Sequence, residues 1–461
     1  MNKLFLKIYC ILPSKIQIIW DKTEQSNIGS RFAKGAFWSL AGSFVSQGLM
    51  LLASIVVARI LGKTGYGELG MIRSTVNMFT VFAGFGLGIT ATKYVAEFFK
   101  KDKIRTGKII GLSILFAGSM GAIIAIILLI AAPIIALRTI NAPQLVNEIR
   151  LSAIMLFFSS LNGVQTGTLA GYEAFKTIAK VNIIAGISAL PIQIGFTLIF
   201  GLSGSVIGFG LNFLILWVLN FIAVRKESQH AGVIINFKEA WSEWPILYKF
   251  SLPALLSGIL VTPVIWACNA MLVNQPHGYE EMALFDAANQ WRNIVLFIPA
   301  ALSQIALPLL SSSVNNQILF NRILKLNVSI NFIISLVMAL CISLLSTFIM
   351  KIYGAGFIEG KGILIIMTFS TVLISINNVI GQAIAGKGRM WIGLILNLNW
   401  GILLLSFTHF FLKLGYGAKG LAYSLLIAYF CHTIVQTIFT IKYLPRITAL
   451  SDKNKPQVTL E

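Results

Sequence analysis

The sequence predicts an all-α integral membrane protein of about twelve transmembrane helices in two six-helix halves. Three observations predict it. First, the 461 residues are 57% hydrophobic and only 11% charged, whereas soluble domains carry about 25% charged residues. Second, the apolar residues come in unbroken blocks. Ile109–Leu137 has no charge between Lys108 and Arg138, and about 20 such residues cross a bilayer. Third, the chain matches itself at one offset of about 213–215 residues. Gly65-Tyr66 recurs as Gly278-Tyr279, Ala170-Gly171 as Ala385-Gly386, and Asn182 and Gly186 as Asn397 and Gly401. The run Gly201–Phe209 matches Gly415–Tyr423.

Residues 1–33 read as a cytoplasmic or interfacial arm. Lys3, Lys7, Pro13 and Lys15 interrupt Met1–Trp20, and no small-residue cleavage site follows. The first half, 34–224, holds spans at 34–58, 68–92, 109–131, 150–170, 180–200 and 204–224. A polar linker, 225–249, joins the halves, with Trp241 and Trp244 placed as interfacial anchors. The second half, 250–441, holds spans at 250–273, 283–310, 326–350, 362–385, 390–412 and 420–441, and 442–461 is a tail. Blocks of this length are helices, because hydrocarbon offers no partner for backbone N–H and C=O groups. The short alternating segments of a membrane barrel are absent.

Basic residues orient the chain. With both termini cytoplasmic, 26 of the 36 Lys and Arg fall on the cytoplasmic side, 8 on the other, and 2, Arg73 and Arg292, inside spans. Cytoplasmic loops accumulate Lys and Arg, so this rule explains the net charge of +20 without a nucleic-acid partner. Two halves of six spans that begin on one side are parallel repeats. Transporters built this way hold substrate between the halves and rock one against the other.

Polar residues inside spans are the candidate site. An arginine at a helix centre costs roughly 2.5–3.5 kcal/mol. Arg73 stands near the outer end of the second span, with Asn77, Thr80 and Gly84 following at i+4, i+7 and i+11 on one stripe. Either it faces the space between the halves or it reaches outward to the surface. In the counterpart span, Asp286, Asn289, Gln290, Arg292 and Asn293 cluster within two turns. Arg73, Asn77, Asn289, Arg292 and Asn293 are cavity candidates. Asp286 falls opposite Arg73 at the repeat offset, and Asp286 and Arg59 are gate or ion candidates. Lone amides elsewhere, such as Asn162 and Gln165, read as interhelical hydrogen bonds. Gly163-x3-Gly167-x3-Gly171 reads as a helix-packing motif.

Catalytic chemistry is not indicated. Gly381-x4-Gly386-Lys387 imitates a phosphate loop, but Gly388 stands where a Mg²⁺-binding hydroxyl is required. No metalloprotease helix or nucleophile elbow occurs. Cys10, Cys268, Cys341 and Cys431 are scattered, without metal-ligand spacing. No loop is long enough for a catalytic domain, and neither metal nor cofactor is expected.

The first span pair reads Lys34-Gly-Ala-Phe-Trp-Ser and then Ala58-Arg59-Ile-Leu-Gly62-Lys-Thr-Gly-Tyr66-Gly67. It resembles the opening of the polysaccharide flippases, and Thr168–Lys176 with Asn182 resembles their loop after the fourth span. Lys63-Thr64 departs from the pattern, where relatives often carry Pro and an acidic residue. The resemblance covers nearly the whole chain. It implies the superfamily that also holds drug/cation antiporters and lipid II flippases, the latter typically with two more spans. The implied substrate is an undecaprenyl-pyrophosphate-linked oligosaccharide repeat unit, O-antigen or similar, moved across the bacterial inner membrane. The implied partners are membrane lipid, a polysaccharide polymerase and a chain-length regulator. A cation-coupled drug antiporter is the alternative, and it needs buried carboxylates, for which only Asp286 qualifies.

Overall fold

In the computed structural model the structure describes residues 27–312, 317–387 and 390–442. The arm through residue 26 and the tail from 443 lie outside the described residues. Every long apolar block is helical, and no strand occurs among the described residues. Eight described segments are long and apolar enough to cross a membrane. Two further long helices, at 146–171 and 278–312, carry polar residues in mid-helix and fall outside that set.

Helix α1, Asn27–Gly84, begins inside the stretch expected to be an arm, and it covers the first expected span and most of the second. No loop separates them. The backbone leaves helical geometry at Gly62, with φ 68°, a value that costs a side chain about 1–2 kcal/mol but costs glycine nothing. The expected span at 68–92 is also not one helix. Phe85 and Gly86 take φ 45° and 66°, and α2, Leu87–Phe98, starts afresh and runs past the expected end.

Helix α3, Lys103–Ile134, is capped by the Asp102 side chain on the Arg105 N–H. Then come α4, Val146–Gly171, and α5, Phe175–Ala231. Helix α5 merges two spans across Gly201, φ 57°. Its repeat counterpart, Gly415, also has positive φ, 79°, so the matched glycines share one backbone requirement. Helix α5 also continues past the expected boundary at 224, since Arg225–Glu227 are good helix formers in water. It stops at Gly232 in the left-handed C-cap conformation.

The second part has α6, Leu252–Gly258; α7, Val261–Val273; α8, Gly278–Ser312; and α9, Gln317–Leu344. A short α10, Ser346–Tyr353, and a 3-10 turn, Ala355–Gly360, replace the end of the expected ninth span and the loop after it. Helices α11, Lys361–Gly386, α12, Met390–Lys413, and α13, Gly417–Lys442, complete the chain.

Small residues set the close contacts. A Cβ on Gly67 would fall 1.7 Å from the Tyr279 carbonyl oxygen, so α1 and α8 touch backbone to backbone there. The glycine motif of α4 does the same against α2: a Cβ on Gly167 would lie 2.1 Å from the Gly88 oxygen. Thr92 Oγ1 donates to the Gly167 carbonyl there at 3.1 Å.

Candidate functional site

Two ends of the helical bundle are tied in different ways. At the end holding Gly62, Arg59 Nε donates to the Ile352 carbonyl at 2.6 Å, and Lys63 Nζ meets Glu359 at 2.8 Å. Tyr66 packs against Tyr353 and Phe357, with ring centroids 6.3 and 5.9 Å away. The Tyr279 hydroxyl donates to the Ile140 carbonyl and Asn274 Nδ2 to that of Thr139. These bonds join helices that precede the 232–246 connection to helices that follow it.

At the opposite end that connection works as a strap. Its Asn236 N–H donates to the Gly107 carbonyl at 3.2 Å. A Cβ on Gly107 or Gly111 would collide with strap carbonyls at 2.0 and 2.3 Å. Glu243 takes Arg105 through two bonds, 2.9 and 3.1 Å, and Glu239 takes Lys108 at 2.7 Å. Trp241 and Trp244 stay exposed, as interfacial anchors would.

Between these ends lies a cavity of about 520 Å³. Its wall comes from α1 and α5 on one side of the chain and from α7, α8 and α13 on the other. Among the described residues three charged ones line it, Arg73, Asp286 and Arg292, two cations to one anion. Asn77, Asn289 and Asn293 line it too. Arg73 therefore turns inward, and of its polar stripe only Asn77 accompanies it; Thr80 and Gly84 are not lining residues. Arg59 is not at the cavity but exposed at the Gly62 end.

Helical spacing explains the placement. Asp286, Asn289, Gln290 and Asn293 recur at intervals of three and four on α8, one face of the helix. Gly70, one turn before Arg73, lets the Asp286 side chain approach: its Cβ position is 3.3 Å from Asp286 Cβ.

A buried network surrounds the carboxylate. Gln290 Nε2 donates to Asp286 Oδ2 at 3.3 Å, to Ser54 Oγ at 2.8 Å and to the Tyr66 hydroxyl. The Tyr66 hydroxyl and Ser54 Oγ are 2.9 Å apart. Arg73 Nη1 stands 3.8 Å from Asp286 Oδ2 and 3.4 Å from Ser54 Oγ. A distance of 3.8 Å is an ion pair without a hydrogen bond. The Arg73 guanidinium also lies over the Phe209 ring, 5.4 Å from its centroid, and its Nε has no partner. Arg292 forms no ion pair among the described residues, and its buried Nε is likewise unpartnered. Both arginines thus line the cavity while each keeps a buried Nε–H without a partner, an arrangement suited to an oxyanion.

Several lining residues carry no mark in the sequence: Gln47, Ser54, Gln193 and Asn269. Ser54, Gln193 and Asn269 are each a lone polar residue in an apolar block, and Gln47 has only Ser43 and Ser46 beside it. Amides that the sequence does single out serve the scaffold instead. Asn162 donates through Nδ2 to the Phe213 carbonyl and accepts at Oδ1 from Asn220 Nδ2, and Asn331 Nδ2 donates to Asn327 Oδ1. No group of His, Cys, Asp and Glu able to hold a metal occurs among the described residues.

The family model described as polysaccharide biosynthesis protein matches residues 32–314. The EPS I polysaccharide export inner membrane protein EpsE of Ralstonia nicotianae is 22% identical over 88% of this chain and 93% of its own length. The lipid III flippase of Escherichia coli K12 is 24% identical over 67% of this chain and 73% of its own. Among solved structures, the lipid II flippase MurJ in an inward closed conformation superposes with a TM-score of 0.69 at 15% identity. That match covers 88% of this chain and 87% of MurJ, and at this identity it speaks for the fold alone.

Proposed function

The chain belongs to the polysaccharide biosynthesis protein family, and from that premise we propose that it is a flippase for a lipid-linked oligosaccharide. The substrate in this reading is an undecaprenyl-pyrophosphate-linked repeat unit of O-antigen or a similar surface polysaccharide. It is carried across the bacterial inner membrane by alternating access. Both named relatives, an inner-membrane polysaccharide exporter and a lipid III flippase, support the class.

Cutting α1 at Gly62 and α5 at Gly201, joining the second part of α1 to α2 and α6 to α7, and counting the short α10 with α9, gives twelve passes. They divide into halves at 34–224 and 250–441 with both termini cytoplasmic. The strap then lies in the cytoplasm and the Gly62 end faces outward. The cavity sits between the halves, and the contacts around Arg59, Lys63 and Tyr66 form its outer closure.

The observation that carries the reading is Arg292, a guanidinium lining the cavity with no carboxylate paired to it among the described residues. A phosphate oxygen supplies the missing charge. At 4 Å and an effective dielectric of 20, one such pair gains about 4 kcal/mol, comparable to the cost of holding the arginine inside the membrane. A space of 520 Å³ falls within the roughly 300–1,000 Å³ of small-molecule sites. It suits a pyrophosphate with its nearest sugars and leaves the prenyl tail in lipid.

A drug antiporter is less well served. Its cation needs an available carboxylate, and the one acid lining the cavity, Asp286, already faces Arg73 at 3.8 Å.

The test is complementation of a deletion strain. Arg292→Ala should abolish surface polymer while membrane levels of the protein stay normal. Polymer at wild-type amounts overturns the reading of this site.

A further inference from the structure

Two residues of the cavity wall carry unsatisfied polar atoms, apart from the arginines. Gln193, on α5, is 5% exposed, and its Nε2 has no hydrogen-bond partner. Asn269, on α7, is also 5% exposed. Its Nδ2 donates to Ser74 Oγ at 2.9 Å, and its Oδ1 has no partner. Both residues line the cavity. A buried amide group left unsatisfied is costly, and native proteins keep few such groups without a reason.

The two atoms differ in kind. Gln193 Nε2 offers a donor and Asn269 Oδ1 an acceptor, and neither carries charge. An oxyanion uses donors only, so phosphate leaves Asn269 Oδ1 unpaired. A group that both accepts and donates satisfies the set, as a sugar hydroxyl or an acetamido substituent does. The residues come from helices that precede and follow the strap connection, so one ligand touching both joins the two parts of the chain. The Asn269–Ser74 hydrogen bond already bridges α7 and α1 there and fixes which way the amide points.

We propose that Gln193 and Asn269 form a sugar subsite, which binds the first saccharide of the substrate while Arg73 and Arg292 hold its phosphate. This rests on the flippase reading above and adds residues that select the sugar. Charge is handled at one place in the cavity and hydroxyl pattern at another. Removing a donor and an acceptor that both engage the ligand should then cost sugar discrimination rather than phosphate affinity.

The experiment uses the full chain purified in detergent and follows intrinsic tryptophan fluorescence. Trp266, anchored to Thr75 by its Nε1 at 3.1 Å, belongs to α7 beside the cavity. The probes are inorganic phosphate and the 1-phosphates of glucose, galactose, mannose and N-acetylglucosamine. In the unaltered protein at least one sugar phosphate should bind about tenfold more tightly than inorganic phosphate. Gln193→Ala with Asn269→Ala should erase that preference and leave inorganic phosphate binding unchanged. Gln193→Met, close in volume, serves as the second variant if the double variant fails to fold, and should lose part of the preference. The sugar subsite is overturned if no sugar phosphate outbinds inorganic phosphate, or if the variants keep the preference. Failure of the unaltered protein to bind any of these phosphates overturns the flippase reading itself.

Discussion

Arg105 and Arg73 each face a carboxylate on a different segment of the chain, and they are held in opposite ways. Arg105 meets Glu243 through two short hydrogen bonds, 2.9 and 3.1 Å, and lies over the Phe98 ring. Its side chain is 41% exposed. Arg73 stands off from Asp286 at 3.8 Å, with an unpartnered Nε and a side chain 15% exposed. The pair nearer water is the tighter one. If burial were purely structural the order should be reversed, because a buried charge needs its full complement of partners. The contrast separates a clasp, whose bonding is complete, from a site whose bonding is left for a ligand to complete.

The sharpest way to break that contrast is to remove both arginines in turn. On the proposed reading Arg73→Ala deletes a phosphate ligand, and it also leaves Asp286 without its counter-charge. Losing a charged hydrogen bond costs about 1.5–3 kcal/mol, so transport should fall by at least about tenfold. The measurement is surface polymer in a complemented deletion strain, normalised to protein in the membrane. Near-normal polymer would put Arg73 in the same class as Arg105.

A middle-sized effect is expected at the carboxylate. In this arrangement Asp286 competes with the substrate for Arg73. Asp286→Asn keeps the size and the Gln290 contact but removes the charge. Inorganic pyrophosphate should then bind several-fold more tightly to the purified protein, since a like charge several ångströms away costs roughly 1–3 kcal/mol at an effective dielectric of 20. Weaker binding would mean that Asp286 instead orients the guanidinium.

The contrast also shows how much the sequence reveals. Charges in apolar blocks stand out because each is costly there, so Arg73, Asp286 and Arg292 are legible without coordinates, as are the helices around them. The repeat pointed to Asp286 and Arg73 as neighbours, and they are 3.8 Å apart. Gln193 and Asn269 are not legible. A lone amide in an apolar helix has the same pattern whether it bonds a neighbouring helix, as Asn162 does, or faces a cavity. The break at Phe85–Gly86 is not legible either, because nothing in the residue type signals a phenylalanine at φ 45°, and the close approach of Gly86 to the Ser251 carbonyl oxygen, 2.8 Å from a Cβ placed there, is a tertiary contact. Arg59 lay at the right end of its helix for a gate, but sequence gives no hint of its partner, the Ile352 carbonyl. That carbonyl belongs to the short helix α10, which apolar periodicity merged into the span before it.

An intermediate test concerns the Gly62 end. Lys63→Ala removes the 2.8 Å contact to Glu359. Glu359 is 74% exposed there, so the pair contributes little to stability. If these contacts close the cavity, a Met282→Cys variant, at a lining residue, should become more reactive to a membrane-impermeant maleimide once Lys63 is replaced, with thermal stability unchanged. Equal labelling with and without Lys63 would mean that the Tyr66, Tyr353 and Phe357 cluster closes this end unaided.

The smallest effect is expected at the clasp. Arg105→Ala removes both bonds to Glu243, yet exposed pairs are worth about 0–1 kcal/mol, and 41% exposure leaves this one open to screening. The strap keeps its other ties: Lys108 to Glu239, the Asn236 N–H to Gly107, and the close backbone approach at Gly107 and Gly111. Surface polymer should therefore stay within about twofold of normal, with stability lowered by no more than about 1 kcal/mol. Gly107→Val, by contrast, drives a side chain into the Ile234 carbonyl and should dislodge the strap outright. If Arg105→Ala costs as much transport as Arg73→Ala while the protein remains folded, the strap takes part in the transport cycle and the division between clasp and site fails.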